Sequence, residues 1–140
     1  MQAAAVIEQA TRYGMTRKVG LSYEQAIEKI TETLKEQGFG ILTQIDVKAT
    51  LKAKIDKDFT KYIILGACNP NLAFQALSSE TNIGLLLPCN VVVYEDPTDG
   101  KTVVGILDPA TMVEMTGKPE METVAKEARQ RLETALGAVE

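Results

Sequence analysis

Val91-Val92-Val93-Tyr94-Glu95-Asp96-Pro97-Thr98-Asp99-Gly100-Lys101-Thr102-Val103-Val104-Gly105-Ile106-Leu107 decides the fold. β-Branched residues dominate Val91 to Tyr94 and recur from Thr102, which favours a pleated, half-buried backbone. Between them Asp96 to Gly100 offers proline, aspartate and glycine, the residues that turn a chain. The segment therefore predicts a β-hairpin whose second arm ends at Asp108-Pro109.

Upstream, Tyr62-Ile63-Ile64-Leu65-Gly66-Ala67 is a continuous apolar run stopped by Asn69-Pro70, a buried strand. Proline in a first turn, then Leu72, Ala73, Ala76 and Leu77, predicts a helix to about Ser79, followed by a loop. Further back, Arg12 to Val19 reads as a first strand. Ser22 is placed to cap a helix in which Tyr23, Ala26, Ile27, Ile30 and Leu34 share one face until Gly38. Ile41, Thr43 and Ile45 form a second strand, and Asp46 caps a short amphipathic helix through Val47, Leu51 and Ile55, with Lys48, Lys52 and Lys54 on its wet side. Beyond the hairpin, a short helix from Ala110 to Met115 stops at Gly117. Pro119 then opens a last helix with Met121, Val124, Ala125, Ala128, Leu132, Ala135 and Leu136 as its buried stripe.

The resulting order is strand, helix, strand, short helix, strand, helix, hairpin, helix. A meander mixed with flanking helices predicts an α+β domain, mainly antiparallel, with helices packed on one face. No linker divides it: residues 13–137 form a single domain and residues 1–12 a loosely ordered N-terminus. A sheet covered on one side leaves the other to solvent or a second copy, which favours a homodimer.

At 140 residues, 45% of them apolar, the chain can bury a core without disulfides or metal. Its net charge of −4 repels phosphate backbones, so no nucleic-acid partner is expected. Histidine is absent, which removes the usual neutral-pH base and the commonest metal ligand. Ser-His-Asp and Cys-His triads and histidine-containing zinc sites are thereby excluded within one chain. The N-terminal stretch lacks the pattern of a signal peptide, and no apolar run is long enough to span a bilayer, so a cytoplasmic location with reduced thiols and no membrane partner is expected.

The chemistry-bearing residues sit in two segments, Ala67-Cys68-Asn69-Pro70-Asn71 and Leu87-Pro88-Cys89-Asn90-Val91, which hold both cysteines of the chain. If the strand ending at Ala67 lies antiparallel beside the one beginning at Asn90, Cys68 and Cys89 become neighbours. The twenty residues between them form an excursion that leaves and returns to one point on the sheet. Such a pair could line a small-molecule pocket, form a reversible disulfide, carry a persulfide or supply half of a thiolate metal site. The plain alternative is that both thiols pack as small hydrophobes beside ordinary turn residues. Metal is disfavoured because two thiolates leave two positions to fill without histidine, and neither segment has Cys-x-x-Cys spacing. No cofactor is implied.

These segments also resemble a family. Gly38-Phe39-Gly40 with Thr43 and Ile45-Asp46-Val47, then Ile64 to Pro70 with Leu72-Ala73, then Gly84 to Val91, closely resemble the bacterial and archaeal family called domain of unknown function 302, over about Tyr13 to Leu136. The resemblance implies a small α+β fold similar to the TATA-box-binding-protein-like class and a homodimer, with no established activity. The leading expectation is a cytoplasmic homodimeric module that binds a small ligand at a site lined by Cys68, Asn69, Pro70, Pro88, Cys89 and Asn90. Asn69 and Asn90 would supply amide donors there, and the two prolines would fix the loops. An enzyme using Cys68 and Cys89 in thiol redox or sulfur transfer is one alternative. A structural or interaction protein with buried cysteines and no site is the other.

Overall fold

The computed structural model describes residues 7–8 and 11–140. Five strands, β1 (Gly14–Val19), β2 (Gly40–Asp46), β3 (Tyr62–Cys68), β4 (Cys89–Glu95) and β5 (Thr102–Leu107), form one sheet in the order β1-β5-β4-β3-β2. Every pairing is antiparallel. The hairpin is its centre, with Val93 opposite Val104 and Val91 opposite Ile106. Its turn is closed by the Asp96 carboxylate, which accepts from the Thr98 N–H at 2.9 Å, and by Gly100 at φ 73°, a left-handed conformation suited to glycine.

Alternation along the strands puts Leu65, Ala67, Val91, Val93, Val104 and Ile106 on one face, all fully buried or nearly so. Helices α1 (Tyr23–Glu36), α3 (Pro70–Ser79), α4 (Ala110–Thr116) and α5 (Met121–Gly137) supply the other half of this core, with Ala26, Ile30 and Leu34 from α1 and Ala128, Leu132 and Leu136 from α5. The sequence places these stripes correctly. Ser22 caps α1 by accepting from Gln25 N–H, while the Gln25 side chain accepts from Ser22 N–H, a reciprocal capping box.

Three features depart from the sequence reading. A 3₁₀ turn, Thr81–Leu86, occupies the stretch expected as loop after α3. Arg17 stands on the core face of β1, buried, and its Nη1 donates to the last carbonyls of α5, Leu136 O at 2.9 Å and Gly137 O. A cation there faces the negative end of the helix dipole and gives a further donor to the carbonyls of its last turn. Helix α2 (Val47–Ile55) forms as expected, with Asp46 accepting from Ala49 N–H, but no residue of it is buried. Of its stripe, Val47 and Leu51 are only half-buried and Ile55 is exposed, because among the described residues α2 packs mainly on β2 and β3.

Among the described residues the second face of the sheet carries no helix layer. Tyr62 and Tyr94 lie opposite each other there and stack with ring centroids 5.1 Å apart, beside half-buried Ile64 and Val92 and exposed Ile45. The loose N-terminus expected for residues 1–12 falls mostly outside the described residues. Within them, Glu8 pairs with Thr16 through two backbone hydrogen bonds of 2.7 Å.

Candidate functional site

The end of β3 and the start of β4 meet as the alternating pattern requires: Ala67 pairs with Cys89 and Gly66 with Asn90. The chain leaves this point through Asn69, whose Oδ1 accepts from Leu72 N–H at 3.2 Å and so caps α3, with Pro70 in the first turn where its missing N–H costs nothing. It returns through the 3₁₀ turn and Pro88. Gly66 is needed where these pieces close on the sheet. A Cβ built on it would fall on Thr43 Oγ1 of β2 and lie 2.8 Å from Pro88 Cγ. Close approach of three chain segments at this point therefore demands glycine.

Between that strand end and the helices lies a cavity of about 380 Å³. Phe39, Leu72, Leu87, Met112 and Val124 give its apolar walls, and Ala73, Ala76 and Ala128 leave the space that larger side chains would fill. Leu42 and Leu77 line it and are exposed, which marks its mouth between β2 and α3. Among the described lining residues none is an Asp, Glu, Lys or Arg, and the polar side chains are Thr43, Asn69 and the two thiols. The volume falls in the range of small-ligand sites, which are mostly apolar with a few placed polar groups.

Of the residues singled out from the sequence, Cys68, Asn69, Pro88 and Cys89 line this cavity. Pro70 is exposed and outside the lining, and Asn90 is exposed on the far side of the pleat, opposite Gly66. The expected cysteine pair is not formed as a pair. Both thiols are free, and because Cys89 is in register with Ala67, Cys68 lies one residue further along and on the other side of the pleat. They meet the cavity at the ends of two inner strands and not at an edge of the sheet. Burial pushes the Cys89 thiol up to about 11, with the neighbouring Cys68 as a lesser cause, so it stays protonated at neutral pH. Among the described residues no three His, Cys, Asp or Glu side chains gather as metal ligands.

In the sequence α3 and α5 show apolar stripes and α4 only a short helix, with nothing that marks them as the walls of a cavity. Alanines recurring at positions 73, 76 and 128 within those stripes are the signal that the stripe is under-filled, but only the packing shows which of them face each other.

A five-stranded antiparallel sheet with helices in one domain makes this an α+β protein. Residues 15–139 match the family described as Domain of unknown function DUF302, and the chain belongs to that family. The crystal structure of an uncharacterized conserved DUF302 protein from Bacillus stearothermophilus is similar, with a TM-score of 0.86, 32% sequence identity, and coverage of 93% of this chain and 100% of that one. No curated protein matches. Among the described residues no helix is long and apolar enough to cross a membrane.

Proposed function

We propose that this protein is a cytoplasmic homodimeric module that binds a small molecule in the cavity between β3, β4 and α3. The observation that carries the reading is the cavity itself: about 380 Å³, apolar, and walled in part by both cysteine segments. A purely structural chain gains stability by filling such a space, since each missing methylene costs about 1 kcal/mol. Three alanines facing one volume forgo that gain.

The thiol-enzyme alternative is weaker on this geometry. A nucleophile or resolving thiol needs its thiolate, and burial holds Cys89 in the thiol form. Its lining cysteines act here as small polarisable wall residues.

The second copy is proposed to cover the helix-free face of the sheet, where Tyr62, Tyr94 and Ile45 present apolar surface and α2 offers its uncovered Ile55 and the nearby exposed Phe59. Light scattering should report a particle twice the 15.2 kDa of the chain, and Ile45→Glu should halve it.

The site is tested by recording methyl spectra of the labelled protein during titration with benzene, a small neutral apolar probe. Saturable shifts at Leu72, Met112 and Val124 are expected. Shifts confined to exposed residues, or none up to the solubility of benzene, would leave the structural alternative standing.

A further inference from the structure

The inner wall of the cavity and its mouth make opposite demands on a ligand. We infer that the occupant is an aliphatic amphiphile, a hydrocarbon chain with one polar end, bound tail inward with the polar end left at the mouth. This rests on reading the cavity as a ligand site.

The interior asks for hydrocarbon. Among the described residues, the one buried side-chain nitrogen or oxygen without a partner is Arg17 Nε, and Arg17 does not line the cavity. Asn69, the one amide of the wall, has its Oδ1 committed to the cap of α3, while its Nδ2 lies beside Gly38, outside the lining. Burial holds Cys89 as a neutral thiol, which is a weak donor. A hydroxyl or amide carried to the inner end therefore gives up water for little in return, and a carboxylate or ammonium meets no Asp, Glu, Lys or Arg there. Phe39 is the one aromatic residue among the described lining residues, so the wall offers hydrocarbon contact and no stacking platform.

The mouth is wet. Leu42, Thr43, Leu77 and Gly84 line the cavity and are exposed, so a polar group that ends among them keeps its hydration. Just outside, Phe74 lies about one turn before Leu77 on α3, and Leu85 follows Gly84; both are exposed. Over residues 62–94 the sequence holds one charged residue, Glu80, whose carboxylate Lys118 Nζ engages at 2.6 Å. That stretch singles out neither an anionic nor a cationic head. Selection falls on the tail.

The test titrates the full chain at neutral pH with n-butanol, n-hexanol, n-octanol, the α,ω-diol of octane and octanoate, read by the same methyl spectra. From butanol to octanol each added methylene should tighten binding about fourfold. The diol must bury its second hydroxyl and should bind roughly tenfold or more weakly than n-octanol, whereas octanoate, whose charge stays outside, should bind more tightly than the diol. Ala76→Phe should abolish n-octanol binding, and Ala73→Leu, at a half-buried wall position, serves if that variant fails to fold. A diol that binds as tightly as n-octanol, octanoate weaker than the diol, or no gain from butanol to octanol would overturn the inference while leaving the ligand site intact. No shift at Leu72, Met112 and Val124 with any probe, or n-octanol affinity unchanged in a folded wall variant, would overturn the ligand-site reading itself.

Discussion

Replacing Gly66 by alanine should destabilise the protein although glycine is normally the poorer strand residue. In an unconstrained strand the change gains about 0.5–1 kcal/mol, because alanine loses less backbone freedom on folding. Here the added Cβ would overlap Thr43 Oγ1 and approach Pro88 Cγ to 2.8 Å, closer than real Cβ atoms tolerate. Forcing extra carbon into packed surroundings costs about 1–3 kcal/mol. The clash therefore outweighs the propensity gain, and the net loss should be about 1 kcal/mol, or roughly 4 °C at about 4 °C per kcal/mol for a chain this size. Urea and thermal unfolding followed by far-ultraviolet circular dichroism read it directly. Thr43→Ala in the same background removes one of the two obstacles and should recover about half of the loss, a coupling that a double-mutant cycle isolates. A Gly66→Ala protein as stable as the parent would refute the claim that β2, β3 and the Pro88 return are locked together at this point.

The raised Cys89 thiol makes two further outcomes. Its alkylation by iodoacetamide should stay slow through pH 9 and accelerate only toward pH 11, whereas rates that already rise near pH 8 would show the thiol reachable and unburied. Because the unfolded chain releases this proton near the ordinary thiol value of 9.0 and the folded chain holds it to about 11, stability from this group is intact below pH 9 and falls as pH rises, by up to about 1.4 kcal/mol per unit; Cys89→Ala should remove that part of the slope. Arg17→Met strips the donor from Leu136 O and Gly137 O and should cost about 1–3 kcal/mol in urea unfolding, with increased hydrogen exchange confined to the last turn of α5. Asn69→Ala should cost about 1 kcal/mol through the lost cap of α3, and Asn69→Asp should restore it.

The elements were legible because each carries its own local signal. Ser22, Asp46 and Asn69 all cap the helices they precede, and the Asp96–Gly100 turn joins the two arms it separates. Even the meeting of Ala67 with Cys89 follows from pairing two apolar runs end to start. Contacts between elements were less legible. Val47, Leu51 and Ile55 have the spacing of a buried stripe, yet spacing says nothing about whether another layer exists to bury it. The 3₁₀ turn at Thr81–Leu86 is too short to show a period, and Arg17 looks like any alternating polar residue on a strand until α5 places its carbonyls over it. Within the candidate site, Cys68, Asn69, Pro88 and Cys89 stood out by type and context, whereas Asn90 equally stood out and points away, since one step along a strand changes the face. The alanines that create the space carry no chemistry to notice.

A crystal structure under xenon pressure measures the central claim most directly, because xenon enters space lined by apolar side chains. The account predicts a xenon atom between Leu72, Met112 and Val124, with side chains otherwise where they stand in the free protein. Side chains collapsed into that volume, or a cavity that stays empty of xenon while other sites fill, would contradict it.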